Sequence, residues 1–211
     1  MDERERAFYQ NARKPVGEDG AKLLSRMNGG EHAELATWAF GCCTLPASGT
    51  LLDIGCGGGA NIARLLELCP ACTVLGLDYS STSVDMSREL NAAALQQGRC
   101  DVVLGDVACM PFEDASVRFA CAFETVYFWP DLEAGLNEVA RVLECGGRLL
   151  LANTSDGLSE ESFRFVDVIE GMRVYTADEL SAALQRAGLA AAHVHGQPER
   201  GWLAIEAEKP A

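Results

Sequence analysis

Leu51-Leu52-Asp53-Ile54-Gly55-Cys56-Gly57-Gly58-Gly59 is the stretch on which the fold turns. The apolar run at 50–54 is short and uninterrupted, which suits a strand buried on both faces of a parallel sheet. The glycines that end it allow a tight turn and close approach of backbone to a ligand. A helix that starts just beyond would aim its first N–H groups, and the positive end of its dipole, at a carboxylate or phosphate.

Working outward, strand-like and helix-like segments alternate. Residues 61–68 place Ile62, Leu65 and Leu66 on one helical face, and 73–78 read as the next strand. A helix is predicted from Ser80 or Ser81, either of which can serve as N-cap, to about residue 97. Further strands are predicted at 102–104 and 117–123. In 131–143 the residues Leu132, Leu136, Val139, Ala140 and Leu143 form one apolar stripe. Gly146-Gly147 stops that helix before a strand at 148–152. Thr176-Ala177-Asp178-Glu179 reads as a capping box, and the segments 189–195 and 202–207 read as a closing hairpin. Such alternation implies a parallel sheet with helices on both faces, doubly wound, with one antiparallel strand in the edge region. A single domain over residues 1–211 is expected, with a helical N-terminal cap at 1–45 and a core at 46–211. An insertion at 153–175 interrupts that core, and both extra segments are candidates to cover a site.

Composition narrows the function. The chain has 211 residues, 48% of them hydrophobic, and no apolar run near the roughly 20 residues of a membrane span. The start, Met1-Asp2-Glu3-Arg4-Glu5-Arg6, lacks the apolar segment of a secretory signal, so a cytoplasmic location is expected. A net charge of −14 argues against nucleic-acid partners, which are held through Lys and Arg. Nine cysteines without a signal read as reduced thiols. Cys69-Pro70-Ala71-Cys72 has redox spacing, but it lies between a helix and a strand rather than at a helix start, and no metal site is expected.

Ligands of open α/β sheets bind at the carboxyl ends of the strands. Asp78 ends the second strand, 25 residues after Asp53, where a carboxylate can accept from ribose hydroxyls. Gly105-Asp106 follows the third and can accept from an adenine amino group. The glycines at 55, 57 and 59 do not fit the G-x-G-x-x-G spacing of dinucleotide folds, which argues against a nicotinamide-dependent oxidoreductase.

The stretch 51–59 resembles motif I of class I S-adenosylmethionine (SAM)-dependent methyltransferases. Gly76-Leu77-Asp78-Tyr79-Ser80 resembles their ribose segment and Gly105-Asp106-Val107 with Met110-Pro111-Phe112 their adenine segment. Residues 138–150 (EVARVLECGGRLL) resemble their R-x-L-x-P-G-G stretch, with Glu144-Cys145 where Lys-Pro is usual. The style is that of the small-molecule branch similar to ubiquinone- and menaquinone-biosynthesis methyltransferases. The resemblance implies a Rossmann-like, seven-stranded, mostly parallel sheet with the last strand antiparallel. It also implies SAM as methyl donor and S-adenosylhomocysteine as product. Asp53, Gly55, Cys56 and Gly57 would then face the methionine part, Asp78 the ribose, and Tyr79, Asp106 and Val107 the adenine. The implied reaction is in-line methyl transfer to an N, O, S or C atom of a small molecule. A SAM-binding regulatory module without catalysis is the alternative.

After the fourth strand comes Phe123-Glu124-Thr125-Val126-Tyr127-Phe128-Trp129. Glu124 is an unusual ionisable residue for this position. It is a candidate to bind a cationic acceptor, to take a proton or simply to hydrogen-bond the cofactor. Tyr127 and His32 are the other catalytic candidates, and Tyr9 and Trp129 the candidate acceptor contacts. Arg13-Lys14 is expected as a solvated pair, or as a contact for an anionic acceptor. His193 and His195 share one face of a late strand. Cys42, Cys43 and Cys56 match no arsenite-methylating motif. A monomer or a homodimer is expected.

Overall fold

Alternation along each strand sorts the interior into two cores, one on either side of a single sheet. The computed structural model describes residues 3–211. Its strands are β1 (Gly49–Ile54), β2 (Cys72–Asp78), β3 (Cys100–Leu104), β4 (Val117–Phe123), β5 (Leu143–Asn153), β6 (Ala190–Gln197) and β7 (Trp202–Glu208). On β1, Leu52 and Ile54 join the first core while Leu51 joins the second. On β4, Ala120 and Ala122 face the first and Phe119, Cys121 and Phe123 the second.

The strand order is β3-β2-β1-β4-β5-β7-β6. β7 is antiparallel to both of its neighbours, and the pairs from β3 through β5 are parallel. The closing hairpin therefore does not append β7 to the edge. β7 lies between β5 and β6. The order reverses between β1 and β4, and the crevice at their carboxyl ends is where open α/β sheets take ligands.

Eight α-helices are present among the described residues: α1 (Glu3–Gln10), α2 (Gly17–Met27), α3 (Gly30–Cys42), α4 (Ala60–Leu68), α5 (Ser81–Leu90), α6 (Ala92–Gln96), α7 (Leu132–Val142) and α8 (Ala177–Arg186). Leu136 and Val139 of α7 and Leu180 and Leu184 of α8 pack in the first core. Leu35 of α3, Ile62 and Leu65 of α4 and Val84 of α5 pack in the second, so the sheet is covered on both faces. The capping box is present, with Glu179 N–H donating to Thr176 Oγ1 at 3.3 Å and Thr176 N–H donating to Glu179 at 2.9 Å.

Two segments differ from the sequence reading. The helix predicted from residue 80 to 97 breaks at Asn91, whose Nδ2 turns inward and donates to Gly59 O at 3.1 Å and Ser87 O at 2.9 Å. The strand predicted at 148–152 starts five residues sooner. Gly146 adopts a φ of 72° and its N–H donates to Lys209 O at 2.8 Å. The glycine pair thus becomes a bulged strand start rather than a free turn, and the β4–β5 register shifts there. Residues 153–175 carry one short 3-10 turn, Glu160–Phe163, and otherwise irregular backbone. No helix among the described residues is long and apolar enough to cross a membrane.

Candidate active site

The turn after β1 is packed so closely by its neighbours that most of its glycines have no room for side chains. Gly55 has a φ of 72°, in the left-handed region, and a Cβ there would lie 2.3 Å from the Thr125 methyl. The turn is fastened from several sides. Gly55 and Cys56 N–H donate to Leu77 O at 2.7 and 3.1 Å, and Gly57 N–H donates to Asp78 Oδ2 at 2.9 Å. Asn28, just past α2, donates from Nδ2 to Gly58 O at 3.2 Å. These contacts hold the turn at the amino end of α4, open to a cavity of about 160 Å³.

Two acidic groups lie at this end of the sheet. Asp53 on β1 is buried. Its Oδ1 accepts from Cys121 Sγ at 3.5 Å, and its Oδ2 has no hydrogen-bond partner. Burial pushes this carboxyl up to about 7. Asp78 closes β2, and its Oδ1 accepts from Ser80 N–H at 2.9 Å. Burial raises its pKa too, against the hydrogen bonds it receives from Ser80 and Gly57.

Asp78 and Tyr79 line the cavity, as do Gly105, Asp106 and Val107 beyond β3. The loop carrying Asp106 is tied to α7. Arg141 donates to Met110 O at 3.0 Å and Phe112 O at 2.8 Å, and Glu138 accepts Met110 N–H at 2.8 Å. The Arg of the R-x-L stretch thus shapes the cavity wall without entering it.

The far end of the cavity is centred on Glu124, the residue after β4. It has a φ of 58°, uncommon for a residue with a side chain, and is 8% exposed. Its carboxylate accepts from Thr154 N–H, from Thr154 Oγ1 at 2.9 Å and from Tyr127 Oη at 2.8 Å. His32 on α3 places Nε2 3.5 Å from Glu124 Oε2 and lines the same cavity. Tyr127 is buried behind Glu124. Burial and then the adjacent carboxylate push its phenol well above the ordinary range. Trp129 also lines the cavity, its ring packed so tightly on Gly135 that a Cβ there would lie 2.6 Å away.

Tyr9 is elsewhere. Its ring packs on Phe165 with centroids 5.1 Å apart, joining α1 to the insertion, and it does not line the cavity. The Arg13-Lys14 expectation is corrected. Arg13 is half-buried, lines the cavity and donates to Glu170 O at 2.9 Å, while Lys14 lies 5.2 Å over the Tyr79 ring. Tyr79 Oη donates to Arg13 O and Ser80 Oγ to Pro15 O, so the segment between α1 and α2 is fastened to the end of β2. His193 and His195 lie side by side with rings 6.2 Å apart on β6, away from the cavity. Asn28, Leu35 and Thr154 are site residues that sequence reading missed. Only an alignment or a fold could have singled them out.

The methyltransferase domain family matches residues 52–151. These residues form a class I SAM-dependent methyltransferase domain. The chain is similar to O-methyltransferase cnsE of Penicillium expansum, 32% identical over 148 residues, 68% of this chain and 53% of the relative. It is also 32% identical over 155 residues to 27-O-demethylrifamycin SV methyltransferase of Amycolatopsis mediterranei (strain S699), 71% of this chain and 57% of that one. The chain thus spans little more than half the length of these curated relatives. Among solved structures, a chain from the complex of the Haloferax volcanii Trm112 methyltransferase activator with a methyltransferase superposes with a TM-score of 0.82 at 22% identity, covering 90% of this chain and 94% of that chain. A SAM-dependent methyltransferase from Aquifex aeolicus gives 0.74 at 18%, covering 90% and 98%. At these identities the structures speak for the fold alone.

The residues present fit SAM. The glycine turn, the Asp78 carboxylate at the next strand end and the Asp106 loop beyond the third line one cavity, and the orphaned Asp53 oxygen is buried on β1 outside that lining.

Proposed function

We propose that this chain transfers the methyl group of SAM to a small molecule. The observation that carries the reading is one continuous cavity. It runs from the loop of Asp106, past Asp78 and the glycine turn, to an apolar end beside Glu124 and His32. Gly55, Cys56 and Gly57, with Asp53 beneath, would hold the methionine part of SAM. Asp78 would take the ribose hydroxyls, with Tyr79, Asp106 and Val107 around the adenine. When bound, SAM supplies an electrophilic methyl on a positive sulfur. The chain then has to hold an acceptor in line with it and exclude water, which by itself removes a large share of the barrier.

A small acceptor is favoured over nucleic acid because a chain of net charge −14 repels phosphates. Residues 1–211 are read as one domain, acting as a monomer or homodimer in the cytoplasm. Tyr9 would act on the acceptor only at second hand, through the contact between α1 and the insertion.

The test is calorimetric titration with SAM, S-adenosylhomocysteine and NADH. Both sulfur nucleotides should bind and NADH should not. Asp78→Ala should weaken SAM roughly 10- to 100-fold, the scale of hydrogen bonds to a charged group. Folded protein that binds neither sulfur nucleotide would overturn the reading. Binding without turnover on any acceptor would favour a regulatory module.

A further inference from the structure

We propose that His32 is the general base of the methyl transfer, held by Glu124, and that the acceptor is a neutral phenolic hydroxyl. This rests on the methyltransferase reading and adds the acceptor class.

Three ionisable groups meet at this end of the cavity, and their hydrogen bonds separate their roles. Glu124 is the acceptor of three hydrogen bonds, one of them from a backbone N–H, with the His32 ring as a fourth neighbour. Three of the roughly four lone-pair sites of this carboxylate are thus engaged by the protein, which makes it chiefly an anchor for its neighbours. Tyr127 is donor to Glu124, is deeply buried and does not line the cavity, so it remains a phenol and acts by positioning the carboxylate. His32 differs from both. It is 30% exposed, lines the cavity, and directs Nε2 at Glu124. Among the described residues its Nδ1 has no hydrogen-bond partner. A carboxylate beside one ring nitrogen fixes the proton there and leaves the other nitrogen as a base. The 3.5 Å separation is long for a hydrogen bond, as is common in such pairs before the reactants are bound.

Charge favours the same arrangement. The acceptor O–H proton passes to Nδ1 of His32, and an oxygen lone pair forms the new O–CH3 bond. The C–S bonding pair returns to sulfur, leaving a neutral thioether. Positive charge thus moves from sulfur to the imidazole, where Glu124 is already in place to stabilise it. A neutral amine acceptor has no need of this arrangement, because its lone pair is already free and its proton can leave after the transfer. The walls favour a flat, apolar acceptor. Leu35 shares a face of α3 with His32, Met27 comes from the end of α2, and Phe128 and Trp129 follow Glu124. The other ionisable side chains lining the cavity are Arg13, Cys56, Arg64, Asp78, Tyr79 and Asp106, and none is hydrogen-bonded or ion-paired to His32.

Two measurements test the proposal. The first is nitrogen-15 NMR of His32 in the S-adenosylhomocysteine complex, assigned by comparison with His32→Asn. The ring should carry its proton on Nε2 and a lone pair on Nδ1, and Glu124→Gln should disturb that preference. A proton fixed on Nδ1 overturns the proposal. The second is methyl transfer to 4-methylphenol and 4-nitrophenol at mildly alkaline pH, where the former is protonated and the latter ionised. His32→Asn should cut transfer to 4-methylphenol by roughly 100-fold or more, the usual scale for general-base catalysis, and transfer to 4-nitrophenol by less than about 10-fold. Equal losses for the two phenols overturn the proposal, as does transfer to anilines or thiols with none to a phenol, or no transfer to either phenol. Failure to bind SAM at all would instead remove the methyltransferase reading beneath it.

Discussion

Asp53→Asn should change how stability depends on pH more than it changes stability itself. The wild-type carboxyl is fully buried, with one oxygen lacking any partner, and its pKa is raised from 3.8 to about 7. Between those values the folded chain keeps the proton while the unfolded chain gives it up. Folding therefore takes up a proton in that window, and stability falls as pH rises through it, becoming level above about 7. A shift of about 3 units, at roughly 1.4 kcal/mol per unit, corresponds to about 4 kcal/mol across the whole window. From about pH 5 to about pH 8 the share is about 3 kcal/mol. An asparagine has no proton to lose, so the difference in unfolding free energy between the two proteins should change by that amount over the same range. Urea denaturation of both at several pH values measures it, and other titrating groups cancel in the difference. Parallel stability curves would show that Asp53 ionises normally and would refute the account of the orphaned oxygen.

Further perturbations test the frame around the site. Gly55→Ala introduces a methyl 2.3 Å from Thr125 at a left-handed φ, and should lower stability by roughly 2 kcal/mol or more in chemical denaturation. Asn91→Ala frees Gly59 O and removes the reason for the break between α5 and α6. It should cost about 1–3 kcal/mol and weaken SAM binding in calorimetry. Trp202→Ala removes a side chain 1% exposed, packed between Trp38 and Arg200, and should cost about 3–5 kcal/mol in thermal unfolding.

What could be read from the sequence was what depends on neighbours in the chain. The glycine turn, Asp78 and Asp106 at strand ends, and the Thr176 capping box each rest on a few consecutive residues. The sequence reading did not find contacts between distant segments. Thr154 holds Glu124 from 30 residues away, and no local pattern marks it. His32 was singled out as a lone titratable residue, but its position beside Glu124 depends on α3 crossing the end of β4. Asn91 was read as an ordinary helix position because its partner, Gly59 O, belongs to another turn. Arg13 and Lys14 looked like a solvated pair. The insertion and Tyr79 claim them separately, and neither could be anticipated from their charge.

The position of β7 has a consequence for how the sheet opens. β6 has a single neighbour in the sheet, β7, whereas β7 is bonded on both sides. No fluctuation that detaches β7 can leave β6 paired, while β6 can peel away alone. Amide exchange should therefore rank these strands in a fixed sequence, β6 opening at lowest free energy and β7 at the same or higher, with β5 last. The strand that ends beside Thr154, and with it the carboxylate at the heart of the site, is thereby shielded from edge fraying by two strands that take no part in the chemistry.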